Sequence, residues 1–237
     1  MGVVTVVVPW RIDEGRQPPE PQREAALEWV ARQVARDLPG AVFFLATQQA
    51  EVWEFSKAEV IGTAGRVIDG EGVVVVHDAD VWSPGTPAMV KAVERGLAPW
   101  AMPHRRVYRL AETSSRSVLR GAAPATTMAT VKRPYRGVCG GAIVVLPAST
   151  LLEVPPDPRF RGWGSEDRSW CDALRTLAGP ELRGSAPLFH LWHPPVLNDE
   201  GEHRTTVENA ALALRYRNAC HQRDLMAALM AEAAVPA

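Results

Sequence analysis

The chain has 237 residues, 46% hydrophobic and 22% charged, enough apolar material for a sizeable core and too even a mixture for a disordered or fibrous protein. Its formal net charge of −1 argues against a general nucleic-acid binder, because proteins that neutralise phosphates carry a clear basic excess. Of its 26 basic residues only Lys57, Lys91 and Lys132 are lysines; with the abundance of Ala, Val, Pro and Gly, this indicates a GC-rich bacterial or bacteriophage coding sequence. Cys139, Cys171 and Cys220 are odd in number, widely spaced and free of any Cys-x-x-Cys pair, so a reduced, cytoplasmic protein with neither a zinc knuckle nor a disulfide framework is expected. The apolar start through Arg11 is too short for a membrane span and lacks a basic leader and a cleavage site, so no membrane anchor is expected.

Val3 to Val8 is a β-branched run stopped by Pro9, the pattern of a strand buried on both faces of a parallel sheet. After a turn-rich segment through Pro21, apolar Leu27, Val30, Ala31, Val34 and Leu38 form one stripe of a predicted helix over 23–38, ended by Pro39-Gly40. A second strand over 41–46 and a helix over 56–64 capped by Ser56 follow. Val73 to Val76 is a pure valine strand running into His77-Asp78-Ala79-Asp80, and a helix over 86–95 comes next. A short strand is read at 107–110, then a long loop or flap from Ala111 to Arg136, where no periodicity is evident. The remaining predicted elements are a strand over 142–146, a helix over 165–177, a strand over 188–192 and one long Ala-rich helix over 205–233. Alternating strands and helices indicate an α/β fold with a mostly parallel central sheet flanked by helices and ligand crevices at the strand C-termini. The expected organisation is one compound domain over 1–204, with a nucleotide-binding half over 1–110 and an acceptor half over 137–204. The helix over 205–237 either packs on that domain or mediates a homodimer.

Three short clusters carry chemistry. Asp78 and Asp80 follow the valine strand at i, i+2 spacing, where two hard oxygen donors suit Mg²⁺ or Mn²⁺ and substrate phosphates; Asp is equally common wherever a strand simply ends. His190 and His193 can face one centre if their segment is a turn or the start of a helix, or they can be a buried pair beside Trp192. In Gly162-Trp163-Gly164-Ser165-Glu166-Asp167, Ser165 can cap a helix whose first turn holds both acids. Those acids suit either the helix dipole or general-base chemistry beside a Trp platform for a sugar ring.

Taken in order, these clusters resemble the nucleotide-sugar glycosyltransferases of the GT-A fold, in particular the β-1,4-galactosyltransferases and the related C-terminal galactosyltransferase module of polypeptide N-acetylgalactosaminyltransferases. Val6-Val-Val-Pro-Trp-Arg11 is similar to the family's first strand and Pro-Phe-Arg run, and Phe55-Ser-Lys-Ala58 to its Phe-Asn-Arg-Ala run. His77-Asp-Ala-Asp80 matches its His-Asp-x-Asp motif, and Cys139-Gly-Gly-Ala142 its Phe-Gly-Gly-Val segment. Gly162-Trp-Gly-Ser-Glu-Asp167 nearly repeats its Gly-Trp-Gly-Gly-Glu-Asp signature, and His193 falls where the family places a metal-binding His. The chain departs from the pattern at Ser56 and Lys57, which replace Asn and Arg, and at Arg168-Ser169-Trp170, which replace an acidic run.

The resemblance implies a soluble enzyme that moves a sugar from a nucleotide-sugar, a UDP-sugar in the first instance, to a hydroxyl of a glycan, protein or other acceptor. It implies Mn²⁺ or Mg²⁺ on Asp80, His193, His190 and Asp78. Donor contacts would come from Pro9, Trp10, Arg11, Phe55, Lys57, Asp78, Ala79, Gly140, Gly141, Trp163 and Gly164. Asp167 would act as base in an inverting reaction, with Glu166 orienting the acceptor. Two alternatives stay open: a degenerate GT-A protein that binds sugar or serves as a scaffold, and a GT-A-like nucleotidyltransferase. Against the second, the segment after the first strand holds one glycine, Gly15, and no lysine.

Overall fold

The valine runs form the centre of one eight-stranded sheet in a computed structural model that describes residues 2–12, 21–49, 55–68, 70–162, 164–194 and 206–233. The first half comprises Val4–Ile12 (β1), Pro21–Asp37 (α1), Val42–Gln49 (β2), Lys57–Val67 (α2), Val73–His77 (β3), Val81–Trp82 (β4), Thr86–Glu94 (α3) and Ala101–Arg109 (β5). The second comprises Glu112–Leu119 (α4), Tyr135–Arg136 (β6), Ile143–Pro147 (β7), Ala148–Glu153 (α5), Glu166–Leu177 (α6), Leu182–His190 (β8), Val207–Ala219 (α7) and Arg223–Ala233 (α8). The strand order is β2-β1-β3-β7-β5-β8-β4, with β6 paired to β5. The long ladders, β1–β2, β1–β3 and β5–β8, are parallel except that β7 enters antiparallel between β3 and β5, while β4 and β6 add short antiparallel edges.

Burial explains why these strands read as continuous apolar runs. Side chains alternate between faces along a strand, so Val6, Val8, Val73, Val75, Ile143 and Val145 pack with Trp29, Val30 and Val34 of α1. Their neighbours Val7, Val74, Val76, Val144 and Leu146 pack on the other face with Val60 and Ile61 of α2 and Trp170 and Leu174 of α6. Each fully buried aliphatic side chain contributes about 1.5–3 kcal/mol, and helices on both faces leave no polar alternation to see.

Strands β5 and β8 begin six residues earlier than the sequence suggests and β4, β6 and α5 are additional, but the larger differences are two. The stretch 111–136 is not all loop: α4 occupies its first third, with Ser114, Ser115 and Val118 turned inward. Hydroxyls on its buried face hide the apolar period; Ser114 Oγ donates to Ala129 O at 2.9 Å and Ser115 Oγ accepts from Trp192 N at 2.7 Å. The long C-terminal helix is two helices, α7 and α8. Cys220 ends the first, and His221 takes a left-handed φ of 63° that reverses the chain. The reversal is favoured because Tyr216, Met226 and Leu229 then all bury in the same core as α6. One straight rod would carry the last two away at 1.5 Å per residue. No helix among the described residues is long and apolar enough to cross a membrane.

Candidate active site

Strand pairing brings Asp80 to the two histidines. β4 follows Asp80 directly and pairs antiparallel with the end of β8, Val81 opposite His190 and Trp82 opposite Phe189. The backbone N–H of Leu191 donates to Asp80 O at 2.8 Å and extends this register past the strand. A two-residue strand needs an anchor, and Trp82 is one: it donates Nε1–H to Asp37 at 2.7 Å and stacks on Phe189. His190 is therefore a strand end, in line with the strand read over 188–192, and His193 lies just beyond it outside any helix or strand, so the two rings converge without a turn or helical start.

Asp80 Oδ2 is 3.0 Å from His193 Nε2 and 3.7 Å from His190 Nε2, and the three candidate ligand atoms lie within 4.8 Å of one another. The Nδ1 atoms are 2.8 Å from carbonyl oxygens, those of Leu191 for His190 and Pro194 for His193. A carbonyl only accepts, so each Nδ1 carries a proton and each Nε2 is the atom turned toward Asp80, able to ligate a cation as the neutral ring or to donate to the carboxylate as the imidazolium. Two imidazole nitrogens and a carboxylate oxygen facing one point form a donor set that suits Mn²⁺ or a similar divalent ion. Burial opposes ionisation of Asp80, but His190, His193 and Arg23 hold its carboxyl well below the usual range. Burial lowers His190, whereas the hydrogen bond to Asp80 raises His193.

Asp78 belongs to a different cluster. Its Oδ1 is 2.7 Å from Lys57 Nζ, which also lies 3.1 Å from Asp167 Oδ1. The ammonium bridges the two acids, and the side chains gathered as a candidate metal group are Asp80, His190 and His193, without Asp78, the fourth donor of the sequence reading. Lys57 begins α2 behind the Ser56 cap, whose Oγ accepts from Glu59 N and donates to Phe160 O at 2.7 Å. That bond, with Gly162 N donating to Phe55 O at 2.8 Å, ties the start of α2 to the segment leading into α6.

Asp167 lies in the first turn of α6, against Gly140 and Gly141. A Cβ at Gly140, where φ is 81°, would meet Asp167 O at 2.0 Å, and one at Gly141 would meet Asp167 Oδ2 at 2.6 Å. The glycine pair therefore exists to admit this helix end and this carboxylate. Burial raises the Asp167 carboxyl to about 7; Lys57 opposes the rise, and Glu166 and Asp78 add to it. Burial likewise opposes the charge on Lys57, but Asp167 and Asp78 keep it protonated far above neutrality. Ser165 occupies the helix N-cap with a left-handed φ of 71° but makes no side-chain cap; Glu166 instead accepts from Gly164 N at 3.1 Å.

The expectation of reduced cysteines is also corrected. Cys139 and Cys171 form a disulfide, their Cα atoms 5.6 Å apart, leaving Cys220 free. Close packing of the glycine pair on α6 places two residues 32 apart in sequence side by side, a proximity that spacing alone does not reveal.

Pro9, Trp10 and Arg11 extend β1 beyond the last residue of β1 paired with β3, on the rim that carries Asp78, Ala79 and Asp80. Arg23, missed in the sequence, lies 5.1 Å from the Trp10 ring centroid, and its charge acts on both Asp80 and His193. Phe55 packs on the core near α2. His104 is fully buried. Trp163 lies outside the described residues.

No protein-family model matches the chain and no curated protein does. Solved structures do. GalNAc-T7 with UDP, GalNAc and Mn²⁺ aligns over 100% of this chain and 56% of its own at a TM-score of 0.52 and 10% identity. The chain has the GT-A glycosyltransferase fold. The catalytic domain of Drosophila β1,4-galactosyltransferase 7 in complex with xylobiose aligns over 85% of this chain and 81% of its own, at a TM-score of 0.46 and 14% identity. Glucosyl-3-phosphoglycerate synthase of M. tuberculosis aligns over 92% and 80%, at 0.43 and 13%. The likeness to GalNAc-T7 carries the GT-A assignment, and this chain spans just over half of that structure. On the GT-A sheet, the candidate metal centre stands at the ends of β3 and β8, and the acid pair at the start of α6.

Proposed function

We propose that this GT-A protein is a metal-dependent glycosyltransferase that moves a sugar from a UDP-sugar to an acceptor hydroxyl with inversion. The observation that carries the reading is the convergence of one carboxylate oxygen of Asp80 and the Nε2 atoms of His190 and His193 on a single point, a donor set of metal-ligand type. Those three residues would hold Mn²⁺ or Mg²⁺, which supplies Lewis-acid neutralisation of a departing diphosphate. GalNAc-T7 was solved with UDP and Mn²⁺, in keeping with this ligand chemistry.

Asp167 acts as the base. It takes the proton of the acceptor hydroxyl while that oxygen attacks C1; the C1–O bond to the diphosphate breaks and its electron pair leaves with the nucleoside diphosphate. A carboxyl held near neutrality by burial is matched to this task. Lys57 positions it by holding one carboxylate oxygen, while the backbone of Gly141 lies against the other. Pro9, Trp10, Arg11, Phe55, Ala79, Gly140 and Gly164 contact the donor, and Glu166 orients the acceptor.

Titration calorimetry of UDP with Mn²⁺, repeated with EDTA and with Asp80→Ala, tests the donor site. Binding that needs Mn²⁺ and vanishes in the variant is expected. UDP binding indifferent to both changes would remove the metal-dependent reading, and release of UDP from UDP-sugars without an acceptor product would turn it into a hydrolase.

A further inference from the structure

A cationic arm stands beside the metal centre and has no part in the chemistry above. It begins on β5, the strand next to β8, where Arg109 is the direct register partner of His190. Register partners in a parallel ladder lie about 5 Å apart and point to the same face, so Arg109 shares the face of that candidate metal ligand. Val107 and Arg109 share a face in turn, and Tyr135 pairs with Val107 from β6. This brings the phenol within reach of Arg109, whose Nε–H donates to Tyr135 Oη at 3.1 Å. On the same ring, Lys132 Nζ lies 4.2 Å from the centroid.

Chain geometry keeps the lysine there. The returning segment pairs with β5 at Leu110–Thr130 and again at Val107–Tyr135, so residues 131–134 face only Tyr108 and Arg109. The surplus bulges outward, carrying Lys132 and Arg133, both exposed. Among the described residues, no carboxylate pairs with Arg109, Lys132 or Arg133; the acid on the following helix, Glu112, is paired with Arg116. Two cations gathered on one tyrosine, Arg109 at its hydroxyl and Lys132 over its ring, with no carboxylate among the described residues to offset their repulsion, are arranged for an anion from outside the chain.

We propose that Arg109 and Lys132, held together by Tyr135, form a phosphate-binding arm adjacent to the Asp80–His190–His193 centre. Arg109 offers the planar fork that matches phosphate oxygens, and Lys132 a mobile point charge. The phosphate belongs either to the donor's diphosphate or to an acidic acceptor. The arm rests on the proposed function only for the reaction it serves, since its anion chemistry stands on its own residues.

Calorimetry tests it, with pyrophosphate and Mn²⁺ as the probe. Pyrophosphate affinity should fall at least tenfold in Arg109→Gln/Lys132→Gln and hold in Lys91→Gln, an exposed charge control on α3. Tyr135→Phe keeps the ring but frees Arg109, and should give a loss of about two- to threefold. If the donor is the source, UDP loses the same factor as pyrophosphate. If an acceptor is the source, UDP affinity holds, and inorganic phosphate still binds the UDP- and Mn²⁺-saturated protein until the double substitution removes it. Equal pyrophosphate and phosphate affinities in the double variant and the unaltered protein would overturn the arm, as would no binding of either by the unaltered protein. Arm-dependent pyrophosphate binding without sugar transfer would keep the arm and sink the transferase.

Discussion

The metal side and the acid side of the candidate site are built by different means. Asp80 and His190 hang on strand register: Val81 opposite His190, Leu191 bonded back to Asp80, and Trp82 locked between Asp37 and Phe189. Asp167 hangs on helix starts and tight loops: the Ser56 cap, left-handed Ser165, the Gly140–Gly141 approach and the Cys139–Cys171 bridge. A ladder repeats its hydrogen bonds and tolerates local error, whereas a loop-built site depends on a few close contacts, each able to shift the carboxylate alone. Changes on the acid side should therefore alter turnover while leaving metal-dependent nucleotide binding in place.

The largest expected effect is that of Asp167→Asn. Loss of a general base costs about 10²- to 10⁴-fold in turnover, and UDP affinity measured with Mn²⁺ should stay within about threefold. Weakened UDP binding with unchanged kcat would merge the two sides and remove the base assignment. Reduction of the disulfide, or Cys171→Ala, comes next. A bridge across 32 residues contributes about 3.7 kcal/mol in the chain-entropy account, so the denaturant midpoint should drop markedly, and kcat should fall more than UDP affinity.

Lys57→Met leaves Asp78 and Asp167 facing each other without their shared cation. Removal of one partner from a buried ion pair costs about 3–5 kcal/mol; the side chains here are 18% and 29% exposed, so the lower end, about 3 kcal/mol, is expected in urea unfolding. Met approximates the length of the apolar stem, which separates lost charge from lost packing.

The smallest effect is on the pH profile. With its carboxyl raised to about 7, Asp167 is the ionised base only above that value, so kcat/KM should climb about tenfold per pH unit below it and level off above. Because the folded state binds this proton more tightly than the unfolded chain, the same group makes stability fall as pH rises from the ordinary carboxylate range to about 7. A rate profile flat from pH 5 to 8 would leave another group as base.

Local signals made much of the fold legible. The valine strands, the stripe of α1 and the Ser56 cap are visible because buried strands and helix starts select residue types over a few neighbouring positions. Where buried faces carry hydroxyls, as at Ser114 and Ser115, the period disappears, and the reversal at His221 has no Gly or Pro beside it to announce it. Within the site, the candidate donors Asp80, His190 and His193 were readable as residue types at suggestive spacings. Their meeting was not, since it depends on β4 pairing with β8 across more than a hundred residues.

By itself the sequence determined which segments are strands and helices over most of the chain and which side chains are candidates for metal-ligand and acid–base chemistry. Those choices are local, set by side-chain shape, backbone preference and periodicity. Only the tertiary structure decided which acid meets which cation: Asp78 with Lys57 rather than with the histidines, Asp167 against Gly141, Cys139 with Cys171, Arg109 beside His190. Such partnerships follow from sheet order and helix packing, which bring together residues whose distance along the chain says nothing of their distance in space.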